Sequence, residues 1–155
     1  MNRFITAIAV MVLLGTTASC VGSKTAHVQK IRYELANHVA DDKDHQALFV
    51  AMASQCLNWG LTRQNAELDP TQRSTLCIRT GAESQPQAII GIYNHLTGHF
   101  DTLHFMRLVG ASCLGEGEGY RRRYGGAMPP TASHTPMIEQ CIQRGTASWL
   151  SSPVL

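Results

Sequence analysis

The stretch that most directly indicates the fold runs from residue 44 to residue 60 and reads D-H-Q-A-L-F-V-A-M-A-S-Q-C-L-N-W-G. Its side chains with a spacing of three or four residues are Leu48, Met52, Cys56 and Trp59. This spacing places them on one face of an α-helix, as expected for a helix that packs on a core. Asp44 is a residue type that caps a helix at its N-terminus, and Gly60 is one that ends a helix. We therefore expect an amphipathic helix between these two residues.

The segments on both sides of this helix have the same periodicity. Before it, apolar side chains recur at Val28, Ile31, Leu35 and Val39. After it, residues 61–68 read as a loop. Asp69 and Pro70 are then typical of the N-cap and the first position of a helix. We expect this helix to include Cys77 and to end at Gly81.

The second half of the chain is predicted to hold three more helices and one long loop. Helical spacing predicts helices that begin near Ser84, Asp101 and Thr135. The short apolar run at residues 89–93 is also compatible with a buried strand. Residues 114–134 contain five glycines and two prolines without a periodic pattern, which predicts a long glycine-rich surface loop.

Residues 1–19 have the order of a secretory signal peptide. Arg3 supplies a positive charge, residues 4–15 are almost all apolar, and small residues follow. The segment Thr17-Ala18-Ser19-Cys20 resembles the lipobox of bacterial lipoproteins, and the resemblance covers residues 1–20 alone. It implies removal of residues 1–19, a diacylglycerol on the Cys20 thiol and an acyl chain on its amino group, with residues 20–24 as a short tether.

The resemblance also implies where the protein lies. Val21 follows the cysteine instead of the Asp of inner-membrane lipoproteins, which implies a lipid anchor in the outer membrane with the domain facing the periplasm. Two other interpretations stay open. Cleavage after Ala18 or Ser19 would release a soluble periplasmic or secreted protein, and retention of residues 4–21 would leave an uncleaved anchor.

Four cysteines remain besides Cys20, an even number that predicts two disulfides in an exported chain. Three pairings are possible. The preferred one is Cys56–Cys77 with Cys113–Cys141, because each pair would join neighbouring helices across one loop. No two cysteines have a zinc-ligand spacing such as C-x₂-C. The sequence thus predicts a mainly α fold: one domain over residues 25–155, a small disulfide-bridged bundle of five or six helices.

The preferred contact surface is an aromatic and basic segment inside the predicted loop, namely Tyr120, Arg121, Arg122, Arg123 and Tyr124. Three guanidinium groups flanked by aromatic rings can bind a phosphate, a lipid headgroup or the acidic surface of a partner protein. Glu116 and Glu118 lie just upstream and are expected to neutralise part of this charge. The simpler interpretation is a solvated loop.

Weak candidate metal ligands are His95, His99 and His104. The first two would share a helix face, but the glutamate that serves as general base in zinc-protease helices is missing, because position 96 is Leu. Histidines at helix ends are the simpler interpretation, and no metal is predicted. Residues 85–115 carry few charges and are most simply core, although an apolar groove for a partner helix or acyl chain stays open.

Composition and motifs narrow the function classes. A net charge of +2 with 15% charged residues gives no broad basic field, so no nucleic-acid partner is expected. The sequence contains no Walker loop, no G-x-S-x-G motif and no dinucleotide-binding motif, and we predict neither an enzyme nor a cofactor. The leading hypothesis is an accessory lipoprotein that docks on an envelope protein of a secretion, conjugation, pilus or exclusion system. The alternatives are a periplasmic lipid- or metal-binding module and a small cell-wall hydrolase.

Overall fold

The computed structural model describes residues 21–154, and these form six helices without a strand. The helices are α1 Val21–Asp41, α2 Lys43–Thr62, α3 Pro70–Glu83, α4 Gln87–Thr97, α5 Phe100–Arg123 and α6 Thr131–Ser151. The predicted mainly helical fold is confirmed. The strand alternative for residues 89–93 is wrong, since they lie in α4. The predicted leader at residues 1–19 and the lipidation site Cys20 lie outside the described residues.

None of the helices in residues 21–154 is both long enough and apolar enough to cross a membrane. The first of them, α1, begins at Val21, so residues 21–24 of the predicted tether belong to a helix. Residues 22–27 of this helix are all exposed, and Val28 is partly buried.

Two disulfides link four of the six helices into two covalently joined pairs. Cys56–Cys77 joins α2 to α3, and Cys113–Cys141 joins α5 to α6, with Cα–Cα distances of 5.1 and 4.9 Å. All four cysteines are fully buried. The pairing preferred from the sequence is confirmed, because each bridge joins consecutive or neighbouring helices across a single connection.

The two helix pairs pack against each other through α2 and α5. These helices cross at glycines, which have no side chain to keep the two backbones apart. A Cβ atom on Gly60 would lie 2.3 Å from the carbonyl oxygen of Leu114, and one on Gly117 would lie 2.4 Å from that of Leu57. Gly60 is thus a packing position inside α2. The prediction that it ends the helix is wrong, and α2 ends at Thr62, before Arg63 in the left-handed conformation with φ of 61°.

The long glycine-rich loop predicted at residues 114–134 is not present: α5 extends to Arg123, and only residues 124–130 connect it to α6. Glycine normally disfavours a helix interior by about 1 kcal/mol relative to alanine. Here Gly117 lets α5 approach α2 closely, so burial of the neighbouring side chains offsets that cost. The prediction is wrong because it treats every glycine as a helix breaker, whereas Gly117 is a point of contact between two helices.

Other helix boundaries shift by a few residues. The N-cap of α2 is Asp42, not Asp44, and its carboxylate accepts hydrogen bonds from the amides of Asp44 and His45 at 3.1 and 2.9 Å. Together with the His45 ring, these donors lower the pKa of Asp42. The predicted start of α3 is confirmed, with Asp69 as N-cap and Pro70 in the first turn.

The predicted end of α3 and the starts of the last two helices also need correction. Gly81 lies inside α3, where a Cβ would meet the α2 backbone at 2.7 Å. Helix α5 was expected to begin near Asp101, but it begins at Phe100, and its N-cap is His99, two residues before Asp101. Helix α6 begins at Thr131 and continues through Pro136, because Met137 and Cys141 anchor the same helix face in the core.

The buried arginine Arg32 attaches α1 to one end of the bundle. Its guanidinium donates to both carboxylate oxygens of Asp101, at 3.0 and 2.5 Å, in the first turn of α5. It also donates to the carbonyl oxygens of Trp149 and Ser152, at 3.0 and 2.8 Å, where α6 ends. We call this end of the bundle the α1 end. The opposite end, where α5 finishes at Arg123, is called the arginine end.

Candidate functional site: an arginine cleft between α5 and α6

The candidate site is a cleft of about 680 Å³ near the arginine end, between α5 and α6. Its lining residues are Glu116, Gly119, Arg122, Arg123, Gln140 and Arg144. The two helices run antiparallel: the Phe105 and Trp149 rings stack at 4.1 Å, and the Cys113–Cys141 bridge follows two turns along. This register brings the second half of α5 beside the first half of α6.

Three guanidinium groups and one carboxylate give the cleft a positive charge. Arg122 and Arg123 are exposed, and Arg144 forms an ion pair with Glu116. Glu118 does not contribute, because it forms an ion pair with the buried Arg73 on the other side of α5. Of the two glutamates expected to neutralise the arginines, only Glu116 therefore does so.

Arg73 explains why Glu118 points away from the cleft. Its Nε donates to the carbonyl oxygen of Gln64 at 3.0 Å, and its Nη2 donates to that of Trp59 at 2.8 Å. The side chain thus ties α3 to the end of α2 and, through Glu118, to α5. A buried guanidinium requires such partners, since an unpaired one would be strongly destabilising.

The structure divides the predicted segment Tyr120–Tyr124 instead of presenting it as one surface. The rings of Tyr120 and Tyr124, four residues apart at the end of α5, contact each other in a tilted arrangement with their centroids 4.4 Å apart. Arg122 and Arg123 line the cleft, whereas Arg121 does not, and its Nε is buried without a hydrogen-bond partner among the described residues. Two of the three predicted arginines are thus brought to one concave site.

Arginines in the last turn of a helix also stabilise it by interacting with the helix dipole. That structural role accounts for Arg122 and Arg123 taken alone. It does not account for Arg144, which lies in the interior of α6 and faces the same cleft. Charge contributed by two helices to one concavity is the arrangement expected of an anion-recognition surface.

The three candidate metal ligands are separated by the break between α4 and α5. His95 and His99 are exposed, with ring centroids 5.5 Å apart, and His104 follows on the next helix. The Thr102 side chain donates to the carbonyl oxygens of Leu96 and His99, which closes the end of α4. Within residues 21–154 no group of three or more potential ligands has a metal-binding arrangement.

A second concavity, of about 560 Å³, lies between α1, α2 and α6. Its apolar lining includes Val39, Phe49, Val50, Ile138, Ile142 and Leu150. The sequence suggests residues 85–115 as the place of such a groove, but that stretch supplies core residues such as Tyr93, Phe105 and Val109. The groove is formed instead by the helices nearest the two ends of the described chain.

Protein-family profiles, curated proteins and solved structures were each compared with the chain, and none matches it. The geometry of the site therefore carries the functional argument.

Sequence reasoning missed two members of the cleft, Gln140 and Arg144. Neither belongs to a motif, and about 20 residues separate them from the arginines of α5. The signal that could have found them is the disulfide between Cys113 and Cys141. Once that pairing is assumed, the helical residues that follow each cysteine must lie in adjacent helices.

Proposed function

We propose that the protein is a non-catalytic, lipid-anchored envelope protein that docks an acidic surface of a partner protein in the arginine cleft. The observation that carries the proposal is the convergence of Arg122, Arg123 and Arg144 on one cleft that holds a single carboxylate, Glu116. Arginine is well suited to carboxylate partners, because its planar guanidinium can form two parallel hydrogen bonds.

The position of the cleft favours a protein partner over lipid headgroups of the anchoring membrane. Arg122 and Arg123 lie at the C-terminal end of α5, and α1, which follows Cys20 directly, is attached at its N-terminal end. The 24 residues of α5 span about 36 Å at 1.5 Å per residue. An anchor on Cys20 would therefore leave the cleft directed towards the periplasm.

The intact mass of protein extracted from membranes tests the anchor. We expect a chain that begins at Cys20 and carries acyl chains, with four further cysteine thiols that react with alkylating reagent only after reduction. Such acylation would hold the protein on the membrane. A mass that begins at Met1 with free thiols would contradict export and the proposed function with it.

Photo-crosslinking in cells tests the docking role of the cleft. A photoreactive residue in place of Gln140, which lines the cleft and is exposed, is expected to give one discrete adduct. Arg122→Ala with Arg123→Ala should reduce that adduct at least about tenfold, since lost charge-assisted hydrogen bonds are worth roughly 1.5–3 kcal/mol each.

A matched control removes two exposed cations elsewhere, by Arg63→Asn and Arg79→Ala. Asparagine is chosen because position 63 has a positive φ, which this residue tolerates. The control should retain the adduct. If both double variants lost the adduct equally, the effect would come from the change in net charge. That result would contradict specific docking in the cleft.

The alternative of a lipid-binding module has one observation in its favour, the apolar groove between α1, α2 and α6. Its volume of about 560 Å³ and its mainly apolar lining are within the range of small-ligand sites. Native mass spectrometry of the purified protein should then show one bound lipid, lost in Val50→Glu, where the side chain is exposed in the groove. The metal-binding and wall-hydrolase alternatives stay predictions from the sequence.

A further inference from the structure

One exposed strip of α1 combines basic side chains with an apolar one. Lys24, His27 and Ile31 recur at spacings of three and four residues, and all three are exposed. No Asp or Glu occurs in α1 before Glu34. A helix surface of this kind, basic and partly apolar, matches the interface of an anionic bilayer.

An exposed aromatic side chain lies at the same end of the bundle. Phe100 is 67% exposed, the highest value among the large apolar side chains of the described residues. It directly precedes Asp101, whose carboxylate binds Arg32 of α1. Phe100 therefore lies in the first turn of α5, next to the residue through which α5 binds α1.

The path of the chain indicates what faces this end. The apolar segment at residues 4–15 joins the domain through Val21, the first residue of α1. Whatever holds that segment or an acylated Cys20 at a membrane also brings the first turns of α1 there. The acidic side chains nearest to this surface both have basic partners: Glu34 pairs with Lys30 at 3.8 Å, and Asp101 pairs with the buried Arg32.

We propose that the α1 end is a membrane-contact surface. Phe100 and Ile31 enter the headgroup region of the bilayer, and Lys24 and His27 face anionic phosphates. The inference rests on the proposed function, because the lipid anchor supplies the proximity. It adds a fixed orientation of the domain, with the arginine cleft held away from the membrane to meet its partner.

The test places a fluorescent reporter at each end of α5 in the full, membrane-extracted protein. Phe100→Trp and its control Tyr124→Trp both replace exposed aromatic side chains, so the fold should tolerate both. Each protein is reconstituted into vesicles of phosphatidylethanolamine and phosphatidylglycerol that contain a brominated phosphatidylcholine as quencher. The native Trp59 and Trp149, which are buried, provide the baseline from the unsubstituted protein.

Phe100→Trp is expected to lose roughly half of its added fluorescence, as for a side chain that enters the headgroup and acyl boundary. Tyr124→Trp should lose almost none. Equal quenching of the two reporters in acylated, vesicle-bound protein would overturn the membrane-contact surface and leave the anchor intact. A protein that lacks acyl chains by mass and does not float with the vesicles would instead overturn the proposed function, and the orientation with it.

Discussion

At the scale of single residues, the buried arginines connect neighbouring helices through hydrogen bonds. Arg32 is 1% exposed, and its guanidinium joins the middle of α1 to the first turn of α5 and the last turn of α6. It also lies 5.4 Å above the Trp149 ring. Because the last carbonyls of a helix lack intrahelical partners, a guanidinium that donates hydrogen bonds to them both caps α6 and holds α1.

Replacing Arg32 should destabilise the protein far more than replacing a neighbouring exposed cation. Arg32→Met removes the pair with Asp101 and the hydrogen bonds that Arg32 donates to the carbonyl oxygens of Trp149 and Ser152. We expect a loss of about 2–4 kcal/mol, towards the low end because the Asp101 side chain is 38% exposed. Urea unfolding with the disulfides intact measures this loss.

Lys30→Met is the matched control for this change. Lys30 is an exposed side chain whose partner, Glu34, lies one turn away at 3.8 Å. Exposed pairs of this kind contribute little, so its effect should stay within about 0.5 kcal/mol. Similar unfolding midpoints for the two variants would show that Arg32 does not hold α1 on the bundle.

At the scale of helices, the glycines of α5 have two different roles on one helix. Gly110 and Gly117 face other helices, and a Cβ on either would lie within 2.7 Å of a neighbouring atom. Gly115 and Gly119 have open space in the Cβ direction. The first pair therefore sets how closely helices pack, whereas the second pair only lowers the intrinsic helix propensity.

Two alanine substitutions on α5 should therefore have opposite signs. Gly117→Ala would place a methyl group against the α2 backbone, which cannot move as a flexible side chain can, and should cost about 1–3 kcal/mol. Gly115→Ala enters open space and should stabilise the protein by about 0.5–1 kcal/mol. Thermal unfolding of the two variants provides the comparison, and destabilisation by both would refute the assignment of roles.

At the scale of the whole molecule, the fold is two disulfide-linked helix pairs that share one core. The α2–α3 pair and the α5–α6 pair meet at the glycine crossing, with Phe49 and Phe105 in contact at 4.9 Å between them. The two cysteines are separated by 21 positions in one pair and by 28 in the other. Both bridges therefore restrict the unfolded chain substantially.

Removing the second bridge, by Cys113→Ala with Cys141→Ala, should lower the free energy of unfolding by roughly 3 kcal/mol. Urea unfolding without reductant measures the loss. Adding reductant to the unsubstituted protein is the internal comparison, because it opens both bridges and should shift the midpoint at least as far. An unchanged midpoint in the double variant would mean that core packing alone holds α5 on α6.

Local patterns in the sequence were sufficient for several features of the fold. Apolar periodicity predicted a helical bundle, the Asp69-Pro70 pair predicted the start of α3, and the cysteine order predicted both disulfides. Each of these depends on residues close in sequence or on a cysteine count. Their physical causes, such as a cap hydrogen bond or a fixed proline φ, act within one turn.

The length of α5 and the composition of the cleft were decided by the tertiary structure. Glycine has the same intrinsic helix propensity at positions 60, 117 and 119. Gly60 and Gly117 nevertheless form close contacts with a second helix, whereas Gly119 does not, and no local pattern distinguishes them. Likewise, no local pattern joins Arg144 to Arg122; the antiparallel packing of α6 on α5 does so. The sequence alone therefore determined the helical fold class and the two disulfides. The packing of one helix on another determined where the arginine side chains converge.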